Sequence, residues 1–279
     1  MAASPKQGVS GCVSAQLPTE LAERVQRERD FFNGYSDPAK IPDKLLVVPR
    51  LLDAIPDEVG EYFPSLSNRT VCEVGCGYGV VAAYLAQRGA TVYAFDVAET
   101  NVLVAERTAH VNQVADRMFV QTMQGESLSY SDSTFDLVFG NAVLHHLHIP
   151  TSAREIYRVL KPGGVAIFRE PLGENRLLEW VRDCPLRSST HRHTEDEHSL
   201  LYSDMDAVRT VFPDAHLRES ELITVLRGLL RGNVGMIAIH RFEPMMQKLG
   251  RLDRWLLDHC PPIRRYASYA VVSMQKPAN

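Results

Sequence analysis

The run Glu73-Val74-Gly75-Cys76-Gly77-Tyr78-Gly79 restricts this chain more than any other part of it. It follows the short β-prone segment Thr70-Val71-Cys72 and leads directly into an apolar, helix-forming run, Val80 to Ala86. A strand, a glycine turn and a helix in that order is how a parallel α/β sheet builds a nucleotide site. Glycine tolerates positive φ and lets a ligand come close to the backbone. The helix start beyond it presents N–H groups without an intrahelical partner, which attract carboxylate or phosphate. A second signal comes 23 residues after Glu73, where Thr91-Val92-Tyr93-Ala94-Phe95 ends in Asp96. An acid at the end of the second strand can accept both hydroxyls of a ribose.

Spacing narrows the nucleotide. The dinucleotide fingerprint G-x-G-x-x-G requires a third glycine where this chain has Val80. The observed pattern is E-x-G-x-G-x-G, with an acid ahead of the first glycine. No Gly-Lys-Ser/Thr follows, so a P-loop is excluded as well.

These segments resemble the class I S-adenosylmethionine (SAM)-dependent methyltransferases. Within them, the resemblance is to the small-molecule branch of ubiquinone/menaquinone-biosynthesis methyltransferases. It is carried by Glu73 to Gly79, Asp96, Gln124-Gly125-Glu126-Ser127-Leu128 and Phe135-Asp136-Leu137-Val138. It continues through Val143-Leu144-His145-His146-Leu147, Val159-Leu160-Lys161-Pro162-Gly163-Gly164 and Glu170-Pro171. It covers roughly residues 66 to 172, and the two ends match only in outline. The implied fold is a Rossmann-like, doubly wound, seven-stranded α/β sheet with its last strand antiparallel. An N-terminal helical cap and a C-terminal helical insertion are expected around it.

Bulk properties agree with one such domain. A chain of 279 residues, 45% hydrophobic and 23% charged, has the size and balance of a soluble enzyme with an added cap. A net charge of −4 argues against a broad nucleic-acid surface. The five cysteines form no C-x-x-C, which points to a reducing compartment without structural disulfides or zinc. No apolar run is long enough to span a membrane, and the N-terminus lacks a basic-then-apolar leader. The expected location is cytoplasmic, and a homo-oligomer is left open.

The chain divides into a helical cap over 1–62 and a SAM-binding domain over 63–279, with a substrate-lid insertion within 174–260. Residues 1 to about 17 are small and polar. A helix capped by Thr19 runs to about Phe32, and a second helical region surrounds Leu45 to Ile55. Strands are expected at about 70–74, 91–95, 117–122, 135–140 and 164–169, with helices at 79–88, 99–112 and 151–159. Lys161-Pro162-Gly163-Gly164 reads as a turn ahead of the fifth strand. Beyond Pro171 come a helix over Glu174 to Arg182, a strand at 215–224, a helical region at 229–258 and a last strand at 268–274.

The resemblance assigns roles residue by residue. Gly75, Cys76, Gly77 and Gly79 form the turn that meets the methionine part of SAM, and Glu73 accepts from its ammonium. Asp96 holds the ribose, and Val97 packs on the adenine. Gln124 stands where the family commonly has an acid for the adenine amino group; its amide oxygen can still accept that bond, without a charge. Gly125 and Glu126 add backbone contacts. Asn141, at the end of the fourth strand, falls near the sulfonium, and Tyr35 reaches the SAM carboxylate or the substrate. The Asn/Asp-Pro-Pro-Tyr turn of amine methyltransferases is absent, as is a second acid beside Asn141 that would hold magnesium.

His145 or His146 can take a proton from a hydroxyl, or one of them can cap the following turn. Glu170, at the end of the fifth strand, is expected to point toward the mouth and is the third catalytic candidate. His191, His193 and His198 hint at a metal, yet their Arg, Glu and Asp neighbours read as a solvated loop, and no metal is expected. The expected function is methyl transfer from SAM to a small hydrophobic metabolite in natural-product biosynthesis, with O-methylation ahead of C-methylation on a prenyl or terpenoid chain and N-methylation third. A SAM-binding module without catalysis, and a methyltransferase of RNA or protein, are the rival readings.

Overall fold

The computed structural model describes residues 17–35, 55–183, 198–223 and 236–278, with the side chains of 35, 181–183 and 236–247 left out. Among these residues seven strands form one sheet in the order β3-β2-β1-β4-β5-β7-β6. The strands are β1 (Thr70–Val74), β2 (Thr91–Asp96), β3 (Met118–Thr122), β4 (Phe135–Asn141), β5 (Leu160–Pro171), β6 (His216–Ser220) and β7 (Tyr269–Gln275). Strands β1 to β5 pair in parallel, and β7 runs antiparallel between β5 and β6. The chain reverses its order between β1 and β4, which opens a crevice at the carboxyl ends of those strands.

Helices α1 (Thr19–Tyr35), α2 (Asp57–Tyr62), α3 (Val80–Gln87), α4 (Glu99–Val111), α5 (Ile149–Val159), α6 (Arg176–Asp183), α7 (Asp204–Arg209) and α8 (Met236–His259) surround the sheet. Alternation along each strand sends its residues to two cores. Val71, Leu137, Phe139, Val165, Ile167 and Val271 pack with α3 on one face. Cys72, Val74, Val138, Ala166, Phe168 and Val272 pack with α5 and α7 on the other. Side chains as large as Phe139 and Phe168, at 1% and 0% exposure, each contribute about 1.5–3 kcal/mol by burial. Helix α5 shows the same logic at helical spacing. Ile149, Ala153 and Ile156 are buried, while Arg154 and Arg158 lie off that stripe.

Two expectations change, and one lies outside the described residues. Lys161 to Gly164 are not a turn before β5 but an irregularity inside it. Leu160 already pairs with Phe135, the ladder resumes at Val165 with Leu137, and Gly163 takes a φ of 76° to absorb the extra residues. Helices α2 and α7 were not anticipated; at six residues each they are too short to show a periodic pattern. The expected helical region at Leu45 to Ile55 lies almost wholly outside the described residues, as do His191 and His193. Among the described residues, no helix is long and apolar enough to cross a membrane.

Candidate functional site

The glycine turn is shaped by what surrounds it. Gly75 has a φ of 61°, and a Cβ there would lie 2.3 Å from Val143 Cγ2. Gly77 has a φ of 49°, but a Cβ there would meet nothing within 4 Å. The first glycine is thus required by packing against the loop after β4, and the second faces open space. Main-chain bonds hold the bend: Cys76 N–H donates to Phe95 O at 2.9 Å and Gly79 N–H to Cys76 O at 2.8 Å.

Asp96 locks the turn to the end of β2. Its Oδ2 accepts from Gly77 N–H at 2.9 Å, and its Oδ1 accepts from Ala98 N–H at 2.9 Å and Asn101 Nδ2 at 3.0 Å. Burial raises its pKa, and those three donors work against the rise. Glu73 lies beneath the turn, 3% exposed. Burial lifts its pKa from 4.5 to about 8, opposed by the Ala82 N–H in the first turn of α3 and reinforced by Asp96. Its Oε2 is buried with no hydrogen-bond partner. A buried acceptor left open is costly, and an added donor or cation would relieve it.

A cavity of about 190 Å³ opens over this turn. Gly75, Gly77, Asp96 and Val97 form one wall, and Gln124, Gly125 and Glu126 form another. Ala142, Val143, His146 and Leu147 close it from the loop after β4. Glu126 ties two of these walls, because its Oε1 accepts from His148 N–H at 2.9 Å. Arg158 on α5 steadies the segment after Glu126, donating to Leu128 O and Tyr130 O at 2.8 and 2.7 Å.

Helix α1 is the lid of this cavity, which it lines with Arg24, Val25, Glu28 and Phe32. It is fastened by Arg24 Nη2 to His146 O at 3.0 Å, Arg29 Nε to Val97 O at 3.3 Å, and Asn33 Oδ1, which accepts from Thr100 N–H at 3.1 Å. The sequence carried a sign of this role. Leu21, Val25, Glu28 and Phe32 fall on one helical stripe, so an acid interrupts an otherwise apolar face. Asn101 and Met123 also line the cavity and had no such sign.

The three catalytic candidates separate. Glu170 does not face the mouth: it is fully buried, and its Oε1 accepts from Val143 N–H at 3.1 Å and Leu144 N–H at 2.9 Å. Its Oε2 lies 2.6 Å from His145 Nδ1. Chain direction explains the correction, because the loop after β4 folds across the end of β5 and needs an acceptor for its N–H groups. His145 is 6% exposed and stands behind His146, ring centroids 4.2 Å apart. Only His146 of the three lines the cavity. Asn141 does not line it; its Oδ1 accepts from Arg169 at 3.2 Å. Cys76 and Gly79 are packed behind the turn, where a Cβ on Gly79 would strike Ala105 and Met118 at 2.7 Å. The backbone of Tyr35 ends α1, and its side chain lies outside the described residues.

Residues 72–168 match the protein family described as "Methyltransferase domain". This segment is a methyltransferase domain. The Ubiquinone biosynthesis O-methyltransferase of Pseudomonas entomophila (strain L48) is 36% identical over 108 residues, 37% of this chain and 45% of that protein. The chain therefore spans less than half the length of this curated relative. Two solved structures share the architecture of the methyltransferase domain and its additions. Geranyl diphosphate C-methyltransferase from Streptomyces coelicolor A3(2) gives a TM-score of 0.57 at 12% identity, over 91% of this chain and 98% of that one. Phosphoethanolamine N-methyltransferase 1 of Haemonchus contortus gives 0.58 at 15% identity, over 92% of this chain and 50% of that one. At such identities the likeness bears on the fold.

A second cavity, about 240 Å³, lies over the β5-β7-β6 side of the sheet. Arg169, Val271 and Arg218 are register partners across β5, β7 and β6 and form its floor. The start of α2 and the last turns of α8 roof it. Arg218 Nη1 stands 3.4 Å from Glu58, and Arg254 Nη2 2.7 Å from Asp57. Arg169 lies over the Tyr269 ring at 3.7 Å and is ion-paired with Glu221. Among the described residues no group of three or more His, Cys, Asp or Glu is placed to hold a metal ion. His198 Nδ1 bonds to the neighbouring Ser199 O at 3.0 Å.

Proposed function

We propose that this chain binds SAM in the cavity under α1 and transfers its methyl group to a small molecule. The observation that carries the reading is the conjunction at the β1–β4 switch point. A glycine bend with one open position and a buried ribose-type acid line one covered cavity, and a partnerless buried carboxylate oxygen, that of Glu73, lies behind the bend without lining the cavity. These features fit a cationic nucleoside with an amino-acid tail. Gly75 and Gly77 offer backbone, Asp96 accepts hydroxyls, and Glu73 offers an acceptor near the ammonium. Val97 and Gln124 to Glu126 hold the base. When bound, SAM supplies a methyl group already activated by a sulfonium.

The chain's own residues then have two tasks. Alignment of an acceptor with a bound donor supplies roughly 7–11 kcal/mol of such a barrier. Helix α1 excludes water above the cavity, with Val25 and Phe32 facing into it. For a hydroxyl acceptor a base must take the proton, and His146 is the imidazole on the wall. His146 supports O-methylation of a hydrophobic, hydroxylated metabolite as the first reading, in natural-product biosynthesis. C-methylation of a prenyl or terpenoid chain is the second reading. It is supported by Phe32 and Phe95 on the cavity wall, suited to shelter a cation, and by the C-methyltransferase activity of the Streptomyces neighbour.

Incubation with methyl-labelled SAM and a panel of hydroxylated and isoprenoid metabolites tests this. Transfer of label to a hydroxyl supports the first reading, and transfer to a carbon supports the second. Heat of SAM binding without any labelled product leaves a binding module. No heat with SAM or its demethylated product ends the proposal.

A further inference from the structure

Two imidazole–carboxylate pairs stand side by side next to the cavity, and they differ in what holds them together. The inner pair, His145 and Glu170, joins the loop after β4 to β5 and is buried on both sides, at 5% and 0% side-chain exposure. The outer pair joins that loop to the lid. His146 Nδ1 lies 3.2 Å from Glu28 Oε2, an ion-pair contact that lacks hydrogen-bond geometry, with side chains 15% and 7% exposed. The His146 ring is confined by His145 at 4.2 Å and by the edge of Phe32 at 5.4 Å. Arg24 on α1 grips the main-chain oxygen of the same residue. Helix α1 thus addresses His146 through Arg24, Glu28 and Phe32.

An acid buried on the apolar stripe of a lid is costly unless it faces a complementary group. Here that group is the only one of the three catalytic candidates that lines the cavity. A carboxylate beside one ring nitrogen of a histidine selects the tautomer and settles which nitrogen keeps its lone pair. We propose that Glu28 is the positioning residue of His146: it holds Nδ1 as the protonated nitrogen and leaves Nε2 to accept a proton, so the base is complete only when α1 is seated. This rests on the O-methylation reading above.

The proton balance closes. The acceptor hydroxyl passes its proton to Nε2 as its oxygen gains the methyl carbon. The electron pair of the broken carbon–sulfur bond stays on sulfur. The resulting imidazolium faces Glu28 and later returns one proton to water. Other charges around His146 are Arg24 of α1, Asp96 at the end of β2, and Glu126 after β3, with the His145–Glu170 pair behind. Glu28 is the carboxylate that stands at Nδ1 itself.

The first readout needs no ligand. Nitrogen-15 imidazole spectra of the full chain, assigned through His146→Gln, are expected to show the Nδ1–H form for His146. Glu28→Gln should move it toward the Nε2–H form. The second readout is turnover with methyl-labelled SAM and the hydroxylated acceptor found by screening. Glu28→Gln should lower kcat by about 10- to 100-fold. Its KM for SAM should stay within about 3-fold, because uniform binding is not what it removes. Glu28→Asp should recover part of the loss and serves if the Gln variant folds poorly. An unchanged tautomer in Glu28→Gln overturns the proposal. So does full kcat in both Glu28 variants beside an inactive His146→Gln, which leaves the base reading standing. Full turnover in His146→Gln removes the base itself, and the proposal with it.

Discussion

The two cavities are built by opposite means. The first is made by backbone: the wall from Gly75 to Gly77 and the end of β2 take their shape from main-chain bonds and positive φ angles. The second is made by side chains that meet across long separations, such as Arg218 with Glu58, 160 residues apart. A backbone-built site constrains the residue types at fixed short spacings. A site built from ion pairs constrains only charge, and many arrangements of charge satisfy it. The first should therefore tolerate substitution far less than the second.

The largest effect is expected behind the first cavity. Glu170→Ala removes the acceptor of Val143 N–H, Leu144 N–H and the His145 ring in a fully buried place. Leaving buried donors unmet costs about 1–3 kcal/mol each, so a loss of roughly 3–5 kcal/mol is expected. Chemical denaturation measures it. A loss under about 1 kcal/mol would show that the loop after β4 does not depend on this carboxylate.

Gly75→Ala comes next. Its Cβ would overlap Val143 and its φ is positive, so overpacking and left-handed strain add to roughly 2–4 kcal/mol. Gly77→Ala carries the strain alone, about 1–2 kcal/mol, because its Cβ meets open space. Its stronger signature should be weakened SAM binding, read by calorimetry. Equal stabilities for the two variants would break the distinction between a packed and an open glycine.

Glu73 gives a pH signature. Burial raises its folded-state pKa to about 8, so the folded chain keeps a proton that the unfolded chain releases near 4.5. Its contribution to stability is whole below about pH 4.5 and is lost as pH rises through 8. Between pH 5 and 8 the ligand-free protein should lose roughly 3–4 kcal/mol that Glu73→Gln retains. Parallel stability curves for the two proteins would sink this assignment.

Legibility in the sequence follows the same division. The strand–turn–helix at Glu73 to Ala86, Asp96 and the strand alternation through β5 could be read because each rests on neighbours a few residues away. The Gln124 to Glu126 wall was readable through the resemblance. The split between His145 and His146 was not, since adjacent residues diverge only once β5 supplies Glu170 on one side and α1 supplies Glu28 on the other. Glu170 was misplaced for the same reason: its position at a strand end was legible, while the loop that covers it was not. The floor of the second cavity offered no pattern, because register across β5, β7 and β6 brings Arg169 and Arg218 together without any sequence spacing between them.

The smallest effects should come from the roof of that second cavity, and there exposure outweighs distance. Arg254 and Asp57 are the closer pair at 2.7 Å, but their side chains are 55% and 64% exposed. Arg218 and Glu58 are 3.4 Å apart, yet Glu58 is only 11% exposed. Water and salt screen the first pair almost fully, whereas one end of the second is sheltered. Double-mutant cycles should give about 0.5–1 kcal/mol for Arg218–Glu58 and nearly nothing for Arg254–Asp57. The first coupling should shrink as salt rises. If the shorter pair couples more strongly, contact distance rather than shelter governs this roof, and the cavity is held more tightly than the contrast with the glycine turn implies.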